Sequence, residues 1–201
     1  WKNIDEDGLY PQFGIQGLLD VDDTPRAWEV IDAKTLGTMH DERLCPHSGN
    51  KYIMARSLAY DEETEEPRQN ADWLVSPEVV GGSTLGFWYG TISAQYDEYV
   101  ELWVSYTDDN IGSFSKARSF HKSGSDSWEY VEVSLPANAK YFALKYVGWG
   151  HFGAMLDDIS FVPVNLLTWD IKHYNVYRDG SLYQSGVDAT SFVDACGDEN
   201  H

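Results

Sequence analysis

The sequence predicts an all-β chain: an antiparallel β-sandwich of jelly-roll type with a small β segment behind it. Three observations predict it. Short runs that alternate aliphatic and polar residues recur between turn signals. Trp 8, Tyr 13 and an aromatic share of 14% in 201 residues supply the side chains that suit pleated, half-buried surfaces. Runs of Ala, Leu and Lys with a helical period are scarce, so no helix is required.

Taken in order, Trp1-Lys2-Asn3-Ile4 opens inside an already patterned segment, as expected of a fragment trimmed from a longer protein. Through residue 70 the pattern is irregular. Pro11, Pro25, Pro46 and Pro67, the cluster Asp20-Val21-Asp22-Asp23 and the acidic run 61–66 mark long loops. Between them, residues 27–31 and 52–57 are candidate strands. Strands are then predicted over 73–77, 84–90 and 99–105. In the last, Val100, Leu102 and Val104 alternate with Tyr99, Glu101, Trp103 and Ser105, which gives one aliphatic face to pack on a core. A polar turn at 107–112 follows, then strands over 128–135, 141–149 and 155–162. Beyond Val162 the composition changes. Residues 173–183 read as a hairpin about Asp179-Gly180, with Ser191-Phe192-Val193-Asp194 as a further partner. The expected organisation is therefore a main domain, 1–162, and a segment, 163–201, too short to bury a core alone.

Asp and Glu number 33 against 14 Lys and Arg, a net charge of -19. Such a field repels nucleic-acid phosphates and anionic lipid headgroups and attracts cations. No apolar stretch of about 18 residues suggests membrane insertion. Cys45 and Cys196 are too few and too isolated for a disulfide framework or a zinc ribbon. Catalytic signatures are missing too: Ser123-Gly124-Ser125-Asp126 is a turn and not a nucleophile elbow, Cys45-Pro46-His47 is mere adjacency, and six scattered His make no zinc motif. The plentiful acids leave a glycosidase pair open, with Glu98, Glu101 or Glu132 on an exposed sheet face. Trp88, Tyr89, Trp103, Trp128 and Trp149 are either core or platforms for sugars.

Two acidic groups stand out. Ile4-Asp5-Glu6-Asp7-Gly8 sets alternate carboxylates before a turn-forming glycine, and reads equally as a solvated turn or as a source of oxygens for Ca²⁺. It lacks the spacing of an EF-hand. Asp157-Asp158 interrupts an apolar strand, where a buried carboxylate is costly unless paired or coordinated, so one of the two must face inward or toward a sheet edge.

In order along the chain, the segments 1–8, His47-Ser48-Gly49-Asn50, 72–78, 99–105 and 156–161 resemble the cleaved-adhesin domain, the module repeated in gingipain- and haemagglutinin-type surface proteins. The resemblance covers residues 1–162. It implies a jelly-roll sandwich similar to MAM and carbohydrate-binding domains, on the surface of a bacterium of the Bacteroidetes type. It further implies bound calcium, no catalysis and a monomeric module of a larger chain that binds a host protein or glycan. The alternatives are a carbohydrate-binding or glycan-active accessory domain, or a structural spacer. By the same resemblance the opening loop and the late Asp pair meet, which makes Asp5, Asp7, Asp157 and Asp158, with Asn50 beside them, the expected calcium ligands. Leu9-Tyr10-Pro11 stands where the family continues its Asp-Gly run, which puts one ligand in doubt. Residues 174–180 resemble the middle of a fibronectin type III domain whose earlier strands are not visible.

Overall fold

The structure is a computed structural model and describes residues 1–9, 25–57, 68–93, 95–122, 127–149 and 152–164, together with the strands Tyr174–Arg178 and Ser181–Val187. The loops expected at 20–23 and 61–66, the turn at 123–126, the segment 191–194 and Cys196 lie outside the described residues.

Among the described residues, ten strands build the larger unit: β1 (Lys2–Asp5), β2 (Trp28–Asp32), β3 (Lys51–Arg56), β4 (Asp72–Val75), β5 (Thr84–Thr91), β6 (Glu98–Ser105), β7 (Phe114–Lys122), β8 (Glu129–Ser134), β9 (Tyr141–Tyr146) and β10 (Gly153–Ser160). They form two five-stranded antiparallel sheets, ordered β1-β4-β9-β6-β7 and β2-β3-β10-β5-β8. The aliphatic face expected of residues 99–105 is the core face. Val100, Leu102 and Val104 join Leu74, Phe142 and Leu144 from the first sheet against Leu85, Phe87, Ala154 and Leu156 from the second.

Four features depart from the expected pattern. A one-turn helix, α1 (Ala33–Leu36), enters the order of strands, as does a short 3-10 turn at Ile111–Ser113; α1 forms because Asp32 accepts from the Thr35 N–H at 3.1 Å and Gly37 ends the turn at φ 73°. With the segment behind it, α1 covers one end of the second sheet's outer face, over Ile31, Tyr52, Met54 and Met155. β1 takes in the patterned start of the chain and extends to Asp5, the first acid of the expected acidic turn. β7 forms from a sequence with almost no apolar alternation, since it is an edge strand with exposed residues 115–119. Finally, Glu98 does not face an open surface: it is 1% exposed and accepts from Tyr146 Oη at 2.7 Å and from the Phe152 and Gly153 N–H groups, both at 2.8 Å.

The chain divides into Trp1–Val164 and Asn165–His201. In the second unit the described part is a hairpin, β11 (Tyr174–Arg178) and β12 (Ser181–Val187), in which Arg178 pairs with Ser181 around residues 179–180, themselves outside the described set.

Candidate metal centre

β1 pairs with β4 so that Asp5 lies opposite Asp72. The chain then turns sharply: Asp5 Oδ1 accepts from the Gly8 N–H at 2.7 Å, and Gly8 takes φ 68°, which glycine adopts without steric cost. Asp7 is pulled back toward β4, its two oxygens accepting from the Leu9 N–H at 2.9 Å and the Ala71 N–H at 2.5 Å. Glu6, between them, faces the opposite way. It accepts from Trp73 Nε1 at 2.7 Å and Lys145 Nζ at 2.9 Å, and these donors hold its carboxyl below the usual range. Alternation along three residues thus sends two carboxylates to one side and one to the other.

Asp5, Asp7 and Asp72 each place a carboxylate oxygen within 4.8 Å of the other two. Asp72 is fully buried. Its Oδ2 accepts from Asn70 Nδ2 at 3.0 Å, but its Oδ1 has no hydrogen-bond partner, and neither does the buried Oδ1 of Asn70. Burial first, and then the charges of Asp7 and Asp5, push the Asp72 carboxyl up to about 8. Burial likewise raises Asp7. Without a counter-charge, this arrangement forces a proton onto a carboxylate. A cation meets the same need and also satisfies orphaned acceptors, which no further acceptor group can do. The 4.8 Å span is about two Ca–O bonds of 2.3–2.6 Å, so the donor set fits a hard, oxygen-seeking ion.

The sequence did not single out Asp72. The signal that drew attention to Asp157-Asp158, an acid within an apolar strand, was present here as well, at the head of a strand buried at all four positions.

Asp157 and Asp158 do not join this group, a correction to the expected common site. β1 follows directly on Trp1, whose ring lies 5.3 Å from that of Phe161, and reaches Asp5 only at its far end. Four residues of strand rise ~13 Å, which separates the two acidic groups. Nor does either acid of the pair face the core. A β-bulge shifts the β10–β5 register between Asp157 and Ser160, with Asp158 at φ 49°, and both side chains reach the turn that follows Pro46. Asp157 Oδ2 accepts from the Ser48 N–H at 3.0 Å, and Asp158 binds Ser48 Oγ at 2.7 Å and His47 Nδ1 at 2.8 Å. The His47 ring in turn stacks on Trp88 with centroids 3.6 Å apart. Asn50 is exposed in the same turn, and its carbonyl accepts from the Ala33 N–H at 2.9 Å.

No family model matches the sequence. The chain is 27% identical over 196 residues to Lys-gingipain W83 of Porphyromonas gingivalis, covering 85% of this chain and 11% of that protein. It is 28% identical over 199 residues to Hemagglutinin A of the same organism, covering 85% and 9%. The chain thus spans about a tenth of the length of these relatives. Among solved structures, the K2 cleaved adhesin domain of Lys-gingipain superposes with a TM-score of 0.59 at 19% identity, over 81% of this chain and 89% of that one. The K1 domain gives 0.50 at 18%, over 81% and 99%. The homologues are gingipain and haemagglutinin cleaved adhesin domains, and the two-sheet sandwich is their fold.

Proposed function

We propose that this chain is a non-catalytic adhesion module, displayed outside the cell or on its surface, that binds an extracellular host protein or glycan and is clamped by calcium at one end of the sandwich. The kinship with Lys-gingipain and Hemagglutinin A supports the adhesive role. The observation that carries the cation is the buried, partnerless Oδ1 of Asp72, in a carboxyl group clustered with those of Asp5 and Asp7. Calcium bound there supplies positive charge to three crowded carboxylates. The residues do the rest: Asp5 and Asp7 fix the turn, and Asp72 and Asn70 tie it to β4.

Against a glycan-cleaving reading, Glu98 is enclosed and Glu101 is held by Trp103 Nε1 at 2.8 Å and Lys116 at 3.0 Å. A carbohydrate-binding role draws on the outer face of the second sheet. There Tyr130, 47% exposed, lies 5.4 Å from Trp88 with the carboxylate of Glu132 at 3.4 Å from its hydroxyl.

Thermal unfolding with millimolar Ca²⁺ and with a chelator tests the clamp. An ion that binds only the folded state raises the midpoint by mass action. The chelator is expected to lower the midpoint of the parent chain and to leave an Asp5→Ala/Asp7→Ala variant unmoved; an unchanged parent midpoint removes the clamp.

A further inference from the structure

β5 turns Gly86, Trp88 and Gly90 outward, because Leu85, Phe87 and Tyr89 between them fill the core. The register sets Trp88 opposite Tyr130, and Gly86 opposite Glu132, on the edge strand β8. Where β5 has no side chain, aromatic rings lie down on its backbone. A Cβ on Gly90 would come within 2.9 Å of Trp128 Cε3, and one on Gly86 would clash with Tyr130 Oη and meet Ser160 Oγ at 2.8 Å. Tyr130 therefore does not stand upright on the sheet. From its place opposite Trp88 it leans two residues along and one strand across, so that its hydroxyl lies over Gly86.

The rings of this face differ in what covers them. Trp128 donates from Nε1 to the Cys45 carbonyl at 3.0 Å and meets Tyr52 edge to face, so it belongs to the end that the segment behind α1 covers. Trp88 has one face taken by His47, stacked at 3.6 Å and held there by Asp158. Tyr130 has no such cover and is 47% exposed. Its surroundings are polar. The Glu132 carboxylate lies 3.4 Å from its hydroxyl, Ser160 Oγ donates to the Gly86 carbonyl at 3.3 Å, and exposed Thr84 and Ser134 form the next outward pair. Both hydrogen bonds are long, and no cation among the described residues pairs with Glu132, so its carboxylate is open to other donors.

We propose that Tyr130, with Glu132 and Ser160 at its rim, is a glycan subsite that takes one uncharged pyranose. The C–H face of the sugar stacks on the open ring while Glu132 accepts from its hydroxyls. The rim selects a sugar over a lipid chain, which brings no hydroxyls to a carboxylate. Charge selects a neutral sugar, since a sialylated or sulfated one would set its own anion against Glu132 and a chain of net charge -19. With Trp88 and Trp128 already covered, one open ring fits one sugar unit. The inference rests on the adhesion reading above and narrows its ligand to neutral glycans. It does not depend on the calcium clamp, which lies on the other sheet.

The test is saturation-transfer NMR on the full 201-residue chain in millimolar Ca²⁺. The probes are methyl glycosides of neutral hexoses, of N-acetylhexosamines and of sialic acid, and a proline-rich peptide, which also docks on aromatic rings. A neutral glycoside is expected to bind in the millimolar range, with saturation strongest on the protons of one sugar face. Tyr130→Ala is expected to weaken it about tenfold, and Tyr130→Phe, which keeps the ring, by less than about threefold. Glu132→Ala is expected to weaken it severalfold with the melting midpoint near that of the parent, and covers the case in which Tyr130→Ala fails to fold. Tyr106→Ala removes an exposed ring elsewhere and should change nothing. A preference for the sialoside or the peptide overturns the subsite. Neutral-sugar affinity unchanged in the folded variants overturns it as well, and leaves glycan adhesion standing at another place. Binding of no saccharide overturns it and leaves a host protein as the partner of the adhesion module.

Discussion

Single residues in this protein place carboxyl groups where water cannot reach them, and two of them make sharp predictions. The Asp72 carboxyl titrates higher in the folded than in the unfolded chain when no cation is present. The folded state then binds more protons than the unfolded one between the ordinary carboxylate range and about 8. The stabilising contribution is complete below that window and lost as pH rises through it. In chelator, the melting midpoint should therefore fall between pH 5 and pH 8, and calcium should restore more at pH 8 than at pH 5. Asp72→Asn should flatten the fall and abolish the calcium increment; with each kcal/mol worth about 2–4 °C for a chain of this size, the change is readily measured by calorimetry. Glu98 is the second case. Glu98→Ala strips an acceptor from Tyr146 Oη and from two backbone N–H groups, so a loss of about 3 kcal/mol or more is expected in denaturant unfolding. The sequence shows that acids are abundant but not which are buried: Glu98 reads as an acid on an exposed sheet face and nothing in the sequence singles out Asp72, and only the pairing of β1 with β4 and the return of residues 152–153 enclose them.

Strands were legible in proportion to how regularly they bury one face. β6 could be read residue by residue because Val100, Leu102 and Val104 all enter the core. β7 could not, because an edge strand leaves its middle exposed and needs little apolar sequence. The bulge in β10 was equally hidden, since alternation assumes one residue per step and Asp158 adds an extra one, which turns both acids outward to hold His47 and Ser48. At the start of β10, Gly153 sits at φ 141°, and a Cβ there would lie 2.5 Å from the carbonyl oxygen of Ala55. Gly153→Ala should cost about 1–3 kcal/mol in unfolding free energy through backbone strain and displacement of β3. The same substitution at Gly112, where a Cβ meets nothing within 4 Å, should leave the midpoint nearly unchanged.

At the scale of the molecule, the excess of acids shapes the response to ions. Raising NaCl from about 10 to 150 mM shortens the screening length from about 30 to 8 Å and should raise the midpoint gradually by easing self-repulsion. Millimolar calcium at fixed ionic strength should raise it further and saturate, and magnesium, which sheds its waters reluctantly, should do less. The contact between Trp1 and Phe161 has a consequence of another kind. It brings the first strand's beginning beside the end of the same unit, so a tensile load drawing these points apart acts at one end of the β1–β4 ladder. The hydrogen bonds from Lys2 to Asp5 then yield in succession, like a zip, instead of sharing the load. The carboxylate cluster lies at the last tooth. An ion seated there would act as a mechanical stop, and pulling single molecules should show β1 peeling at low force, with a second, higher force peak that appears in calcium and vanishes in chelator.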